Sequence, residues 1–476
     1  MLCVFFVLMI NQILIYTRPW EVRFHVDLGM TLAEFYPDIP LKFVTFFYET
    51  YEFLKKLGFD VLLFTEELKR VDLDETIGFI DQELYHKLGL NLRLLSGMER
   101  FLPRDECSAE EFIKRHTLVL NRLVVDGTLS ISSMYDHFVY LLGGLLANIR
   151  NGFHFAFLSS GMPANRVIAL KTPWETWSIK RSEEESLKLL EEARLKMSIP
   201  ATQRISYMSL DWNFPVWQRF WKTIREYIAL RDDMKRGNYF IPTPFNRIKN
   251  SVFVRFKSFF KQKSNCVFDF NDPHDLEGVG QPFVYCPLHM EPEATILMYS
   301  PWLRDQIEMC RLISQSLPSN ILLFVKENPK MIGLRKKDFY QRLKELPNIR
   351  LISEGIESKL LIEKCIGVVT LAGTACLEAA VMKKNSLCFG RPPFGDILNN
   401  FDYMNTGNLR ELNKVFSEWS NDPEFELNIK HWLRWVNGTI SGNIIAQKNN
   451  GVVEIIPEKH TRNNIVSFIN EIITRA

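Results

Sequence analysis

From Gln281 to Gly390 the chain alternates short apolar runs with amphipathic stretches, a rhythm that a parallel α/β sheet satisfies and few other folds do. Strands are expected at Phe283–Cys286, Ile321–Lys326, Ile349–Ser353, Ile366–Thr370 and Ser386–Phe389. Helices are expected near Pro301–Ser316, Leu334–Leu346, Ser358–Lys364 and Thr374–Lys383, between the strands. Ile366–Thr370 reads as an apolar strand ending in a polar group, and it runs straight into the helix that follows.

The first half repeats the theme less cleanly. Ile13–Tyr16, a helix over Phe24–Phe35, Phe43–Phe46, a helix over Glu49–Leu57 closed by Gly58, and Val61–Phe64 read as strand, helix, strand, helix, strand. From Glu66 to Asn151 the signal is mainly helical, with long periodic runs at Ala109–Val124 and Ser132–Ile149. Strands return at Phe153–Leu158 and Val167–Leu170. Ser182–Lys196 and Trp212–Lys235 read as inserted or connecting helices. The fold class expected is therefore α/β, with two Rossmann-like domains facing a cleft and helical insertions. The first domain would span 1–265 and the second 266–476, with C-terminal helices near Leu427–Val436 and Arg462–Thr474 finishing the second and packing back on the first.

Composition removes several classes of partner. With 58 basic and 56 acidic residues among 476, the net charge of +2 gives no electrostatic footprint for nucleic acid. The eight cysteines have no CxxC pair and sit in apolar patterns, which suits reduced buried thiols and a cytoplasmic protein rather than a disulfide framework or zinc site. Met1–Tyr16 is apolar but lacks a basic leader and is broken by Asn11 and Gln12; it falls short of the ~20 residues that cross a bilayer, so a buried first strand is the better reading. Residues 247–263 carry six basic side chains and no acid, interleaved with Phe253, Phe256, Phe259 and Phe260. That pattern suits peripheral contact with an anionic membrane face or an acidic acceptor; a solvated linker helix is the alternative.

In an open parallel sheet, ligands bind beyond the carboxyl ends of the strands, so the residues there are the candidates for chemistry. They are His289, Glu291 and Glu293 after the first strand of the second domain, Lys326 and Asn328 after the next, then Ser353, and finally Thr370, Gly373 and Thr374. Gly373 and Thr374 open a helix whose free N–H groups suit a phosphate; Glu378, one turn on, would reach a ribose diol. An ordinary helix start with an incidental acid is the alternative. Lys326 ends a strongly apolar strand, so its cation calls for an anionic partner, and neighbouring Glu327 points to the opposite face. His289 with two glutamates suits polar recognition or base catalysis better than a metal, since a strand-end loop with Pro287 and Pro292 would need a further ligand from elsewhere. Asp72-Leu73-Asp74 imitates a metal-binding DxD, but lies in a polar stretch that reads as a solvated turn.

Three segments, Pro287–Thr295, Val325–Ser353 and Val368–Gly390, resemble in order and spacing the C-terminal half of capsular polysaccharide biosynthesis proteins, which are similar to GT-B sugar transferases. The resemblance spans roughly Phe283 to Gly390. It implies a nucleotide-sugar pocket at Thr370, Gly373, Thr374 and Glu378. Family members carry Lys-x-His-Pro where this chain has Lys326-Glu327-Asn328-Pro329, and the Asn328 amide can donate a hydrogen bond but cannot carry a proton between groups.

The function expected is transfer of a sugar from a nucleotide-sugar to a glycan or glycolipid acceptor in surface or capsular polysaccharide synthesis. It would need neither a cofactor nor a metal, with helix N-termini and basic side chains stabilising the departing phosphate. The general base would come from the first domain, with His25, Asp27 and Glu175 as candidates. A glycerophosphate or phosphopolyol transferase, or a catalytically silent assembly or export subunit, are the competing readings.

Overall fold

The chain's structure, a computed structural model, describes residues 10–72, 78–99, 106–198, 228, 231–235, 238, 268–398 and 409–476, apart from positions 134, 136, 164, 292, 333, 337, 424, 426, 428, 443, 450, 451 and 458. The basic stretch 247–263, most of the helix expected over 212–235, and Leu73 and Asp74 lie outside the described residues.

In chain order the first elements are β1 (Gln12–Tyr16), α1 (Val22–Phe35), β2 (Leu41–Thr45), α2 (Tyr48–Lys56) and β3 (Asp60–Leu63), the alternation expected. Then come α3 (Phe64–Lys69), α4 (Gly78–Leu88), α5 (Leu92–Gly97), α6 (Glu106–Leu123), β4 (Thr128–Ser132), α7 (Phe138–Ile149), β5 (Phe153–Ser159), β6 (Arg166–Thr172) and β7 (Glu175–Thr176). Two helices follow, α8 (Glu183–Ser198) and α9 (Arg231–Lys235). The second α/β run comprises β8 (Phe283–Pro287), α10 (Ala294–Tyr299), α11 (Gln306–Ser316), β9 (Leu322–Lys326), α12 (Phe339–Lys344), β10 (Ile349–Ile352), α13 (Ser358–Lys364), β11 (Gly367–Thr370), α14 (Thr374–Val381) and β12 (Asn385–Cys388). The chain closes with α15 (Leu409–Asn421), α16 (Ile429–Asn437), β13 (Thr439–Ser441), β14 (Ile444–Asn449), β15 (Val452–Pro457) and α17 (Lys459–Arg475). Among the described residues no helix is long and apolar enough to cross a membrane.

Two compact units emerge, each discontinuous in sequence: 1–181 with 206–248 and 436–476, and 182–205 with 249–435. In the first, the strand order is β13-β6-β5-β4-β1-β2-β3, with β7 on β6. Strands β1 to β5 run parallel, and β6, β7 and β13 add antiparallel pairs. The strand β4 was not expected, because Thr128, Ser130 and Ser132 alternate with Leu129 and Ile131 between two long helices. All five are buried, and the polar face is satisfied internally: the Ser130 hydroxyl meets His154 Nδ1 at 2.8 Å, and the Thr128 hydroxyl accepts from Gln12 Nε2 at 2.8 Å. Ile13, Ile15, Leu129 and Ile131 pack with Phe24 and Leu28 of α1 and Ile465 and Ile469 of α17 in one core. The C-terminal segment therefore completes this unit: β13 pairs with β6, and Arg166 Nε donates to Thr439 Oγ1 at 2.7 Å.

The second unit holds a five-stranded, wholly parallel sheet in the order β10-β9-β8-β11-β12. Val284, Cys286, Leu323, Val325, Val369 and Leu371 point to one face and pack with residues of α11 and α15. By strand alternation Tyr285, Phe324, Lys326, Val368 and Thr370 point to the other. Cys286, Cys310, Cys365, Cys376 and Cys388 are all free and buried.

Candidate functional site in the second unit

The strand order of the second unit reverses direction between β8 and β11, the place where open α/β sheets open a crevice for ligand. Register aligns the ends of three strands there. Pro287 is the partner of Lys326, and Thr370 lies two residues beyond Val368, the partner of Tyr285. Lys326, Pro287 and Thr370 thus form one row, with the outer two Cα atoms about 10 Å apart across two strand spacings. Their side chains share a face.

His289 bridges the crevice. Its Nδ1 lies 3.2 Å from Glu293 Oε2, and its Nε2 lies 2.7 Å from the Thr370 hydroxyl. With Nδ1–H facing the carboxylate, a neutral ring leaves Nε2 to accept the Thr370 proton. The backbone is held too. His289 N–H donates to Gln306 Oε1 at 2.6 Å, and its carbonyl accepts from Gln306 Nε2 at 3.2 Å and from Arg335 Nη2 at 2.6 Å. A Cβ at Gly373 would sit 3.2 Å from Thr370 Oγ1 and 3.3 Å from His289 Cε1, so glycine keeps the space above this bond open.

Arg335 and Gln306 went unforeseen in the sequence because neither follows a strand. Arg335 lies 2.9 Å from each oxygen of Glu327, whose carboxylate also accepts from the Tyr340 hydroxyl at 2.7 Å and from Asn328 N–H at 2.6 Å. Its Nη1 reaches Glu291 at 3.2 Å, and Glu291 also accepts from Gln306. Burial alone would lower the Arg335 pKa; the bond and charge of Glu327, with Glu291, more than reverse it. Glu327 and Glu291 are therefore committed to Arg335, and together they brace the loop that carries His289.

Lys326 is buried at 8% exposure, and its Nζ donates to the Ser358 hydroxyl at 3.1 Å. Desolvation pulls its pKa down to about 8, against the pull of Glu354 and Glu357 upward. Ser358 also accepts from the Tyr285 hydroxyl at 3.0 Å. With both lone pairs used, the half-buried Ser358 still has its own proton to donate. Glu378 acts on the same group, since its charge helps hold the Tyr285 phenol protonated, after burial as the main cause.

Thr374 is exposed at the first turn of α14, whose N-cap Gly373 offers no side-chain cap. Ser353 is tied into its own turn, donating to the Asn271 carbonyl and accepting from Gly355 N–H, both at 3.3 Å. Asn328 is half-buried. In the first unit, His25 is wholly buried on α1, 2.9 Å from the Thr17 hydroxyl, and burial followed by the Arg18 charge lowers its pKa to about 3. Asp27 pairs with Arg462 at 3.4 Å, pinning α17 to α1, and Glu175 is exposed on the two-residue strand β7. Among the described residues no group of three His, Cys, Asp or Glu is placed to hold a metal.

The family described as "Capsule polysaccharide biosynthesis protein" matches residues 273–396, a stretch containing the whole second sheet and the site just described. Comparison with curated proteins finds none that matches. Similar solved structures include the beta Kdo 2,7 transferase of KpsC from Thermosulfurimonas dismutans, at 11% identity over 96% of this chain and 99% of that one, TM-score 0.34. The beta Kdo 2,4 transferase of KpsC from the same organism is 14% identical over 72% and 86%, TM-score 0.30. Anabaena HepE in complex with UDP-glucose is 10% identical over 90% and 92%, TM-score 0.25.

Proposed function

We propose, from the capsule-biosynthesis match of residues 273–396, that the chain is a glycosyltransferase. It moves a sugar from a nucleotide-activated donor to a surface or capsular polysaccharide or a glycolipid, working without a metal at the inner face of the cell membrane. The observation that carries this reading is the His289–Thr370 bond across the point where the strand order reverses, with Lys326 level with it on the same face.

Each group has a role in that reading. Lys326 and the Ser358 proton bind a donor phosphate oxygen, Thr374 and the N–H groups of α14 bind another, and Glu378 accepts from the ribose hydroxyls. In transfer, the bond between anomeric carbon and phosphate oxygen breaks and its electron pair leaves with the phosphate. The acceptor hydroxyl bonds to that carbon and gives its proton to a base. Braced by Glu293, His289 in its protonated form offers Nε2–H to the departing oxygen.

The test is purified protein with CMP-, UDP- and GDP-sugars and CDP-glycerol, read by nucleotide release, alongside thermal shifts with each free nucleotide. Release from one nucleotide-sugar class and a shift with its nucleotide are expected. Turnover of CDP-glycerol alone would transfer the reading to a phosphopolyol transferase; shifts without turnover would mark a binding subunit. No response to any of them would remove it altogether.

A further inference from the structure

The first unit has its own reversal of strand order, between β1 and β4, and the loop Thr17–Glu21 leaves β1 beside it. Trp20 in that loop is 38% exposed, although its indole is fixed from three directions. Its Nε1–H donates to Glu21 Oε1 at 3.2 Å, the Arg18 guanidinium lies 4.8 Å from its ring centroid, and Phe47, just past β2, meets it edge-on at 5.8 Å. Arg18 is itself held, donating to both oxygens of Glu21 and lying 5.3 Å from the Tyr140 ring centroid. Arg18 and Glu21 are buried, at 3% and 2% exposure.

A buried, bidentate ion pair thus props up an aromatic plate that stays open to solvent. A large aromatic with this much support could have been folded inward, yet its ring remains at the carboxyl edge of the sheet. Because the indole N–H is committed to Glu21, the exposed part offers ring surface and no hydrogen bond. The ligand chemistry that matches is a flat apolar face bordered by hydroxyls, which is the C–H face of a pyranose; a rigid plate takes it without losing rotamer freedom.

We propose that Trp20 is a pyranoside-stacking platform, the acceptor-sugar subsite of the first unit. The name of acceptor rests on the transferase reading above; the stacking does not. The experiment is saturation-transfer NMR on the full-length protein with methyl glycosides of glucose, galactose, mannose and N-acetylglucosamine, without any nucleotide. At least one should receive saturation mainly at the C–H protons of one ring face. That transfer should fall roughly three- to tenfold in Trp20→Ala and largely return in Trp20→Phe, the size expected of one ring contact. Should Trp20→Ala fail to fold, wild-type protein carrying 5-fluorotryptophan gives the same answer: the resonance assigned to Trp20 by its loss in Trp20→Phe must shift on titration with the glycoside. No transfer from any glycoside, transfer unchanged in Trp20→Ala, or a static Trp20 resonance overturns the proposal. Because no donor is present, these outcomes are separate from a failure of nucleotide-sugar turnover, which bears on the second unit.

Discussion

Lys326→Met separates what the second unit spends on holding a cation from what it gains by using one. The side chains are of similar length, but only lysine must be desolvated, and burial has moved its pKa from 10.5 to about 8. At ~1.4 kcal/mol per decade, the protonated form costs the folded state about 3 kcal/mol relative to the unfolded chain. Methionine removes that penalty and deletes one donor to Ser358, worth about 1 kcal/mol. The variant should therefore be about 2 kcal/mol more stable than wild type at pH 7. The advantage should shrink as pH rises from 8 towards 10.5. In that window folded wild type has shed its proton while the unfolded chain keeps it, so wild-type stability climbs with pH and methionine does not follow. Urea unfolding of both proteins at pH 7 and pH 9.5 measures this. Calorimetry with CMP and UDP supplies the other half: the nucleotide that binds wild type should lose about 1.5–3 kcal/mol of affinity, as a charge-assisted bond would. A variant less stable than wild type at pH 7, with nucleotide affinity intact, would refute the reasoning and make Lys326 a structural residue.

Glu327→Gln should cost about 3–5 kcal/mol in urea unfolding, since it strands the buried Arg335 guanidinium against a neutral amide; a loss below about 1 kcal/mol would show that Glu291 suffices. Thr370→Val keeps the side-chain shape but removes the hydroxyl that holds the His289 ring at Nε2, so transfer should fall at least ~10-fold with melting little changed, and an unaltered rate would take that contact out of the mechanism. His25, His116 and His154 are each held neutral by burial with pKa near 3. The unfolded chain protonates them near 6.5, so stability is full above that value and falls below it, by about 4 kcal/mol between pH 7.5 and 5.5 for the three together. A flat profile of urea midpoint against pH over that range would contradict their burial.

What could be read from the sequence followed the physics of each segment. The strands β8, β9 and β11 were legible because both their faces are largely buried, which leaves runs that are mostly apolar up to their carboxyl ends. The strand β4 was hidden because its inward polar residues are satisfied by a histidine and a glutamine distant in sequence, which no local pattern reveals. Strand-end reasoning found His289, Lys326 and Thr370, since a parallel sheet brings its carboxyl ends to one edge whatever the loops contain. It could not find Arg335, Gln306, Ser358 or Tyr285. Those side chains reach the row from helices, loops and strand interiors, and their partners are set by tertiary packing. His25 was chosen for following the first strand, but the turn of α1 carries it into the core beside Thr17.

The first unit is made of both ends of the polypeptide, with the second unit's residues threaded between them. During synthesis, residues up to 435 emerge before Thr439–Ser441, so β6 waits with the Arg166–Ile168 part of its edge bare and the face of α1 without α17. The unit encoded in the middle is thus complete on the ribosome before the one encoded first, and a chain truncated near 435 keeps the later-starting unit while leaving the earlier one open and prone to aggregate.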